Sequence, residues 1–241
     1  MVFPTFISQV NGCKGLLSTV AFTLVAAGSR PREAELGSLI TRPAAVEIAD
    51  HGYTAEQRGR VAMAQYARCK FGRTPRRVSD NLQLPAAESM ASVHRLATVD
   101  CLVSGEMKFQ ASQMRGYLFG EMYRLHETMP PQNWTYPIAP LDLASTPPDN
   151  APREVRVNFM LLKMTHCLYL ADPAIVRSII MNAPASLEQK AAYRILIAKL
   201  GACVPKDMKF ELSRSVIEST FGEYLYRSLV PVVTADPGKP K

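Results

Sequence analysis

The cysteines are the residues of this sequence whose chemistry can be argued most directly. There are five: Cys13 stands alone near the start, and the others are Cys69, Cys101, Cys167 and Cys203. A zinc site of four thiolates or a redox-active pair requires closely spaced cysteines such as C-x-x-C, a spacing that this sequence lacks. Structural disulfides are the remaining role for these thiols, and the four cysteines that follow Cys13 allow three pairings.

The sequence holds none of the short motifs that carry catalytic or cofactor chemistry. It has no G-x-S-x-G elbow, no P-loop and no G-x-G-x-x-G. Its four histidines form no H-E-x-x-H pair; they are His51, His94, His126 and His166. We therefore predict no metal and no cofactor, and we assign no catalytic residue. A triad whose members meet only in the fold would escape this search, so an enzyme stays open as the less favoured class.

The densest group of positive charge consists of Lys70, Arg73, Arg76 and Arg77. Clustered cations attract anions, so these residues are candidates for contact with an anionic surface, a phosphate or an acidic polymer; a solvated helix face is the alternative. The net charge of +7 is otherwise spread along 241 residues, whereas nucleic-acid-binding proteins concentrate Lys and Arg on one face. We therefore expect no nucleic acid as partner.

The start of the chain has the order of a secretory signal peptide. Lys14 precedes an uncharged stretch, Gly15 to Gly28, that ends in small residues and is followed by Arg30. The stretch is shorter than the about 20 residues that a spanning helix needs, and a buried N-terminal helix is the alternative. We predict that residues 1–28 are a signal peptide, removed together with Cys13. The mature protein is then exported, periplasmic or secreted, without a transmembrane segment, in a compartment that permits disulfides.

The rest of the chain has the composition of an ordinary globular protein, with 47% apolar and 20% charged residues, which excludes disordered and polytopic membrane proteins. Residues 29–53 are expected to be a partly disordered lead-in, and residues 232–241 a disordered tail. Seven of the eighteen prolines lie between Pro130 and Pro152, where they cannot continue a helix. Residues 128–153 are therefore predicted to link two folded parts.

These two parts resemble each other. Cys69 and Cys167 are each followed by four residues and then by Thr-Pro or Asp-Pro, and Cys101 and Cys203 are each followed closely by Met-Lys-Phe. A shared tripeptide after a matched cysteine is rarely accidental. We predict two tandem, diverged repeats, residues 54–127 and 154–231.

Each repeat is predicted to contain four helices, which makes the fold all-α. Thr54 and Gln57 form a capping box before the first helix, and Ser186 and Gln189 form another before the third helix of the second repeat. That helix is expected to reach Leu200, with Gly201 as a left-handed cap. Its counterpart in the first repeat is expected over Glu88 to Asp100.

The remaining helices have equally clear signals. The short second helices begin after the N-cap residues Thr74 and Asp172, each followed by proline at the first helical position. The fourth helices carry apolar stripes at spacings of four, four and three residues: Met114, Leu118, Met122 and Leu125 in one repeat, and Ile217, Phe221, Leu225 and Ser228 in the other.

The helix assignment suggests how the cysteines pair. In each repeat one cysteine ends the first helix and the other ends the third, so crossing helices bring the two ends together. We predict the disulfides Cys69–Cys101 and Cys167–Cys203, one in each repeat, because duplication copies a disulfide with its unit. On the chain-entropy model each contributes about 3.5–4 kcal/mol.

One segment resembles a known group of proteins. The stretch R-G-Y-L-F-G-E-M-Y-R, Arg115 to Arg124, taken with the cysteines, is similar to uncharacterised exported helical proteins of sphingomonad-type bacteria. The resemblance implies export and the disulfide-bonded repeat, and it implies no activity. The second repeat has Glu218-Ser219 where the first has Arg115-Gly116. A role of Arg115-Gly116 in the first repeat is therefore not expected to recur in the second.

The sequence therefore predicts an exported helical protein with a binding, interaction or structural role. Its expected partner is another envelope protein, and the sequence does not predict the oligomeric state. An envelope enzyme is one alternative; it requires a site between the repeats where polar residues converge, such as Tyr123, Arg124, Tyr226 and Arg227. A lipid-binding or membrane-surface module is the other, and it requires a continuous apolar groove.

Overall fold

The structure is a computed structural model, and it describes residues 52–102, 107–128, 138–204 and 212–229. All regular secondary structure within these ranges is helical. The predicted signal peptide with Cys13, nearly all of the predicted lead-in, the tail and part of the linker lie outside the described residues. The prediction of an all-α fold is confirmed for the described part of the chain.

The first half, residues 54–128, contains four α-helices and two short 3₁₀ turns. The α-helices are α1 (Ala55–Arg73), α2 (Pro75–Gln83), α3 (Ala86–Ser92) and α4 (Ala111–Thr128), and the turns are Val93–Leu96 and Val99–Cys101. The second half, residues 153–229, contains α5 (Arg153–Ala171), α6 (Pro173–Met181), α7 (Leu187–Cys203) and α8 (Arg214–Leu229).

Both predicted disulfides are present. Cys69 bonds to Cys101 and Cys167 bonds to Cys203, with a Cα–Cα distance of 5.7 Å in each pair. The first pair ties the end of α1 to the second 3₁₀ turn, and the second pair ties α5 to the end of α7. Each disulfide therefore closes a loop within one half of the molecule.

The helix starts follow the sequence signals with two exceptions. The capping box of α1 is complete, because the Gln57 amide donates to Thr54 Oγ1 over 3.2 Å and the Thr54 amide donates to Gln57 Oε1 over 2.9 Å. At α7 the Gln189 amide donates to Ser186 Oγ, but the Gln189 side chain turns into the core and donates to the carbonyl of Ile179. The second exception is Thr74, whose hydroxyl donates to the carbonyl of Lys70 and leaves α2 without a side-chain cap.

Two predicted helix ends are wrong. Helix α7 runs through Gly201 to Cys203, so this glycine is no left-handed cap. The helix predicted over Glu88 to Asp100 ends at Ser92, because α1 binds the segment that follows. The Thr98 amide donates to the Tyr66 hydroxyl over 2.9 Å, and that hydroxyl donates to the Thr98 carbonyl over 3.2 Å. These bonds satisfy the backbone of Thr98 without helical partners.

The two halves share one hydrophobic core, and all described residues belong to one compact unit. Helices α4 and α8 lie at its centre, and six of the eight predicted stripe positions are buried there: Met114, Leu118, Met122, Ile217, Phe221 and Leu225. Their backbones approach closely where Gly116 and Gly120 of α4 meet Gly222 of α8. This contact brings the polar side chains of both helices into the interior.

Candidate functional site

Beside the crossing of α4 and α8 lies a fully buried charged cluster. Arg60 of α1 and Glu218 of α8 form an ion pair, with 2.9 Å from Arg60 Nε to Glu218 Oε1, and their residues are 2% and 4% exposed. The hydroxyl of Tyr117 donates to Glu218 Oε2 over 2.5 Å, and that of Tyr193 donates to Glu218 Oε1 over 3.1 Å. The Arg60 guanidinium also donates to the Gln189 carboxamide. Helices α1, α4, α7 and α8 all contribute to this cluster.

The two tyrosines of the cluster remain protonated donors. Burial raises the pKa of Tyr117 well above its ordinary value, and the adjacent Glu218 carboxylate raises it further. Tyr193 has a raised pKa for the same two reasons. A phenol held neutral next to a paired carboxylate neither accepts nor releases protons near neutral pH. The cluster therefore has the chemistry of a structural link between helices.

A second buried cluster surrounds Glu223 of α8. Its carboxylate pairs with Arg115 of α4, accepts from Arg227 Nη1 over 2.9 Å and accepts from Asn158 Nδ2 over 3.2 Å. Burial alone would raise the pKa of this carboxyl, but Arg115 and Arg227 outweigh it and hold the pKa below its ordinary value. Glu121 of α4 is the third buried carboxylate, and it pairs with Arg124 and Arg68.

A repeated tripeptide in the sequence is a signal for these clusters. Phe119-Gly120-Glu121 and Phe221-Gly222-Glu223 are the same tripeptide, one in α4 and one in α8. Its glycine supplies the close backbone contact and its glutamate supplies a buried carboxylate. The partners Arg60 and Arg115 could not be assigned from spacing, because they are brought in by tertiary packing.

Each of the four residues proposed for a site between the halves contacts a different set of neighbours. Burial and the neighbouring Glu127 carboxylate raise the pKa of Tyr123 to about 12. Arg124 Nε donates to the carbonyl of Ile180 over 2.6 Å. The Tyr226 ring packs against Phe119, with 6.0 Å between ring centroids. Arg227, besides bonding to Glu223, donates to the carbonyls of Ala139 and Pro140 in the segment before α5.

Among the described residues, an open groove lies at one end of the bundle, with a volume of about 780 Å³. It lies between the N-terminal ends of α1, α4 and α8, and we call it the N-terminal groove. Neutral polar side chains dominate its lining, with one carboxylate, one guanidinium and two apolar side chains: Thr54, Gln57, Gln110, Gln113, Ser213, Glu56, Arg214, Leu212 and Val216.

The N-terminal groove is anchored to the buried charged cluster through Arg214. The guanidinium of Arg214 lies over the ring of Tyr193, 5.2 Å from its centroid. The Tyr193 hydroxyl lies 3.1 Å from the Arg214 carbonyl oxygen and 3.1 Å from Glu218 Oε1, so these two acceptors share its one proton. Movement of Arg214 in the wall of the groove would therefore disrupt its contacts with the buried Tyr193.

The structure divides the predicted basic cluster. Lys70 points into the molecule, where its residue is 5% exposed and its ammonium donates to Thr98 Oγ1 over 3.0 Å. Burial lowers the pKa of Lys70, and Arg77 and Arg73 lower it further against the opposing effect of Asp100. Lys70 is therefore removed from the predicted contact surface, because it cannot reach an external anion. Arg73, Arg76 and Arg77 are exposed.

Two of the three described histidines have ordinary partners, whereas the buried Nδ1 of His126 has no hydrogen bond within the described part of the chain and lies 3.9 Å from Glu127 Oε1. His94 stacks on Phe109, with ring centroids 5.1 Å apart, and His166 Nδ1 lies 2.8 Å from the Tyr224 hydroxyl. His51 lies outside the described residues. Within the described part of the chain, no three His, Cys, Asp or Glu residues are grouped so that they could hold a metal ion.

No known protein family, curated protein or solved structure matches the chain. Among the described helices, none is by itself long and apolar enough to cross a membrane. Helices α5 and α6 together meet that length and composition, but they are bent by 115° where they join.

Proposed function

We propose that this protein is an exported binding protein that holds a polar, largely uncharged ligand in the N-terminal groove. The observation that carries the proposal is the groove itself, a cavity of about 780 Å³ bordered by three helix starts. Volumes of about 300–1,000 Å³ are usual for ligand pockets. The favoured class is therefore a binding module.

The chemistry of the lining supports binding over catalysis. The described lining has two ionisable side chains, Glu56 and Arg214, and Arg214 is committed to Tyr193. The three buried carboxylates of α4 and α8 each have an arginine partner, so none is free to act as an acid or a base. Nucleophilic catalysis requires a nucleophile with a base in hydrogen-bond reach, and these contacts supply no such pair.

The same lining indicates the ligand. Gln110 and Gln113 each offer a donor and an acceptor, as does the hydroxyl of Ser213. Such side chains recognise groups that both donate and accept, such as the hydroxyls of an oligosaccharide or the backbone of an extended peptide. Leu212 and Val216 give the apolar surface on which the face of a sugar ring packs.

The experiment is a titration of the oxidised, uniformly ¹⁵N-labelled protein with neutral oligosaccharides and with neutral extended peptides, read by amide shifts. We expect one of these classes to shift the amides of Gln113 and Ser213, and Gln113→Trp to abolish the effect by filling the groove. Arg194→Trp, on the exposed face of α7, is the matched control and should bind normally. If neither class shifts the groove amides, or if both variants lose binding equally, the groove is not the binding site.

Export and duplication complete the proposal. Two disulfides are formed, and disulfides persist in oxidising compartments, which supports a periplasmic or secreted location and a removed leader of residues 1–28. Cys69 of α1 and Cys167 of α5 lie in corresponding helices, and so do the Phe-Gly-Glu tripeptides of α4 and α8, which supports two diverged repeats. The resemblance to exported sphingomonad-type proteins, and an envelope protein as partner, remain part of this proposal.

Intact mass of the protein purified from its native compartment tests export. We expect the mass of a chain that starts at Ser29, with four cysteines that alkylate only after reduction. A retained leader, or four cysteines that alkylate without reductant, would exclude export.

A further inference from the structure

The most exposed apolar side chains in the described part of the chain are concentrated on one helix. Leu187, Ile195 and Ile197 of α7 are 77%, 50% and 63% exposed, and Leu170, near the end of α5, is 71% exposed. The next most exposed large apolar residues among those described reach 37%. Single exposed apolar residues are common on proteins, but a concentration of them marks an interaction surface.

Leu170 is held beside α7 by two bonds. The disulfide Cys167–Cys203 joins α5 to the end of α7, and Lys199 Nζ of α7 donates to Asp172 Oδ2 over 2.7 Å. Leu170 lies in the chain between these two attachment points. The four exposed residues therefore lie on neighbouring segments, and we call them the α7 apolar surface: Leu170, Leu187, Ile195 and Ile197.

Helix α7 is apolar on both of its sides. The inner side is buried in the core through Gln189, Ala192, Tyr193 and Leu196. The outer side has apolar residues at spacings of four, four and three, all of them exposed: Leu187, Ala191, Ile195 and Ala198. A helix that is apolar all round is ordinarily covered on every side. Within the described part of the chain only the inner side is covered, so the outer side is open to a partner.

The charges on the outer side of α7 are mostly positive. Lys190 and Arg194 alternate with the apolar positions, and Glu188 is the only acidic residue of the helix. The third basic residue, Lys199, is paired with Asp172. The stems of Lys and Arg lie along apolar surfaces while their charged heads reach into water. Apolar side chains combined with Lys and Arg are typical of a helix that lies on an anionic membrane.

The first half of the molecule has no such surface at the corresponding place. Ile195 and Ile197 stand eight and six residues before Cys203, and the residues at these distances from Cys101 are Val93, which is buried, and Arg95. The fold of a half therefore does not require apolar side chains on this outer side. The apolar surface is a property of α7 itself.

We infer that the α7 apolar surface binds a lipid membrane that contains anionic headgroups. Its apolar side chains enter the boundary between the headgroups and the acyl chains, and Lys190 and Arg194 pair with the lipid phosphates. A second copy of the chain fits this face less well, because a twofold contact places the same excess of cations on both sides. This surface lies apart from the N-terminal groove, and it stands whether or not the groove binds a ligand.

Co-sedimentation with lipid vesicles tests the inference, with the oxidised protein purified from its native compartment. The vesicles contain phosphatidylcholine and phosphatidylglycerol in equal parts, and vesicles of pure phosphatidylcholine are the reference. We expect binding to the phosphatidylglycerol vesicles to be about tenfold tighter or more, and to weaken at high salt. Equal binding to both kinds of vesicle, or binding to neither, overturns the inference.

Ile195→Gln/Ile197→Gln is the decisive variant, because it removes two exposed apolar side chains without opening the core. It should weaken binding to the phosphatidylglycerol vesicles by about tenfold or more. Its melting temperature should stay unchanged, since glutamine favours a helix at least as well as isoleucine. Lys190→Gln/Arg194→Gln should weaken binding by about tenfold and reduce its dependence on salt. Native binding by both variants overturns the inference.

Two matched variants change the same residue types in the first half. Leu84→Gln replaces an exposed leucine, and Arg76→Gln/Arg77→Gln replaces two exposed arginines. Both should bind the vesicles as the native protein does. Losses as large as those of the α7 variants would show general adhesion and overturn the inference.

Sedimentation equilibrium without lipid tests the alternative occupant, a second copy of the chain. We expect the native protein and Ile195→Gln/Ile197→Gln to have the same mass in solution. A native dimer that this variant dissociates would assign the α7 apolar surface to self-association and overturn the inference.

Discussion

Gly116 of α4 lies against Ser219 of α8 so closely that a Cβ atom built on the glycine would be 2.2 Å from the Ser219 carbonyl oxygen. The neighbouring atoms are all backbone, which cannot rotate away as a side chain would. Gly222 meets the carbonyl oxygen of Gly116 in the same way, with 2.6 Å to its own ideal Cβ. The contact between the two central helices therefore depends on the absence of two methyl groups.

Substitution of Gly116 by alanine should destabilise the protein by about 1–3 kcal/mol, because the helices must separate to admit the methyl group. Chemical denaturation of Gly116→Ala measures this loss. Gly201→Ala is the matched control, since Gly201 is in a helix and a Cβ there meets open space; it should stabilise the protein by about 0.5–1 kcal/mol. Equal effects at both positions would contradict the close crossing.

Removal of one partner of the buried pair should cost far more than removal of an exposed partner. Arg60→Met leaves Glu218 buried without its cation and should lower the free energy of unfolding by about 3–5 kcal/mol. Arg177→Met breaks a partly exposed pair with Glu127 and should cost less than about 1 kcal/mol. Arg60→Met/Glu218→Gln should recover part of the loss, because both charges are then gone and a carboxamide oxygen still accepts from a tyrosine hydroxyl. A double variant no more stable than Arg60→Met would contradict this account.

The stability of the protein should fall in acid partly through Glu223. Its folded-state pKa lies below the ordinary value, so it stabilises the fold above that ordinary value, about 4.3. This contribution is lost as the pH falls through the folded-state pKa. Glu223→Gln should therefore lose less stability than the native protein between about pH 5 and pH 3. Glu188→Gln, at an exposed position of α7, should follow the native curve, and a Glu223→Gln curve parallel to the native one would contradict the assignment.

The two disulfides should contribute nearly equally, since they close loops of 32 and 36 residues. Cys69→Ala/Cys101→Ala and Cys167→Ala/Cys203→Ala should each lower the free energy of unfolding by about 3.5–4 kcal/mol. Thermal unfolding with and without reductant measures the effect. Each double variant keeps one disulfide, so the reductant should lower its stability only through the loss of that remaining disulfide. A variant as stable as the native protein would show that its disulfide constrains nothing in the unfolded chain.

Local signals in the sequence predicted local structure well. The capping box at Thr54 and the prolines after Thr74 and Asp172 are recognised from nearby residues, and the pairing of the cysteines from the helix ends and the comparison of the two halves. Two of the errors arise where a residue distant in the sequence decides the outcome. Tyr66 of α1 binds Thr98 and ends the third helix early, and the same loop draws Lys70 out of the surface cluster.

The candidate sites were less accessible to prediction than the fold. No spacing rule connects Gln57, Gln113 and Arg214, which meet only because three helix starts lie at one end of the bundle. The missing cap of α2 was also hidden, since Thr74 is a good N-cap residue by type. Only its bond to Lys70 shows that the hydroxyl is used elsewhere.

The buried ion pairs also determine when this chain can fold. Arg60 reaches its carboxylate partner across 158 residues, and Arg115 is paired with Glu223, near the end of α8. While α8 has not yet been synthesised, Arg60 and Arg115 therefore have no carboxylate partner with which they could be buried. Closure of the core waits for the last helix. Until α8 is available, these two arginines are more stable in water than in a closed core without their carboxylates.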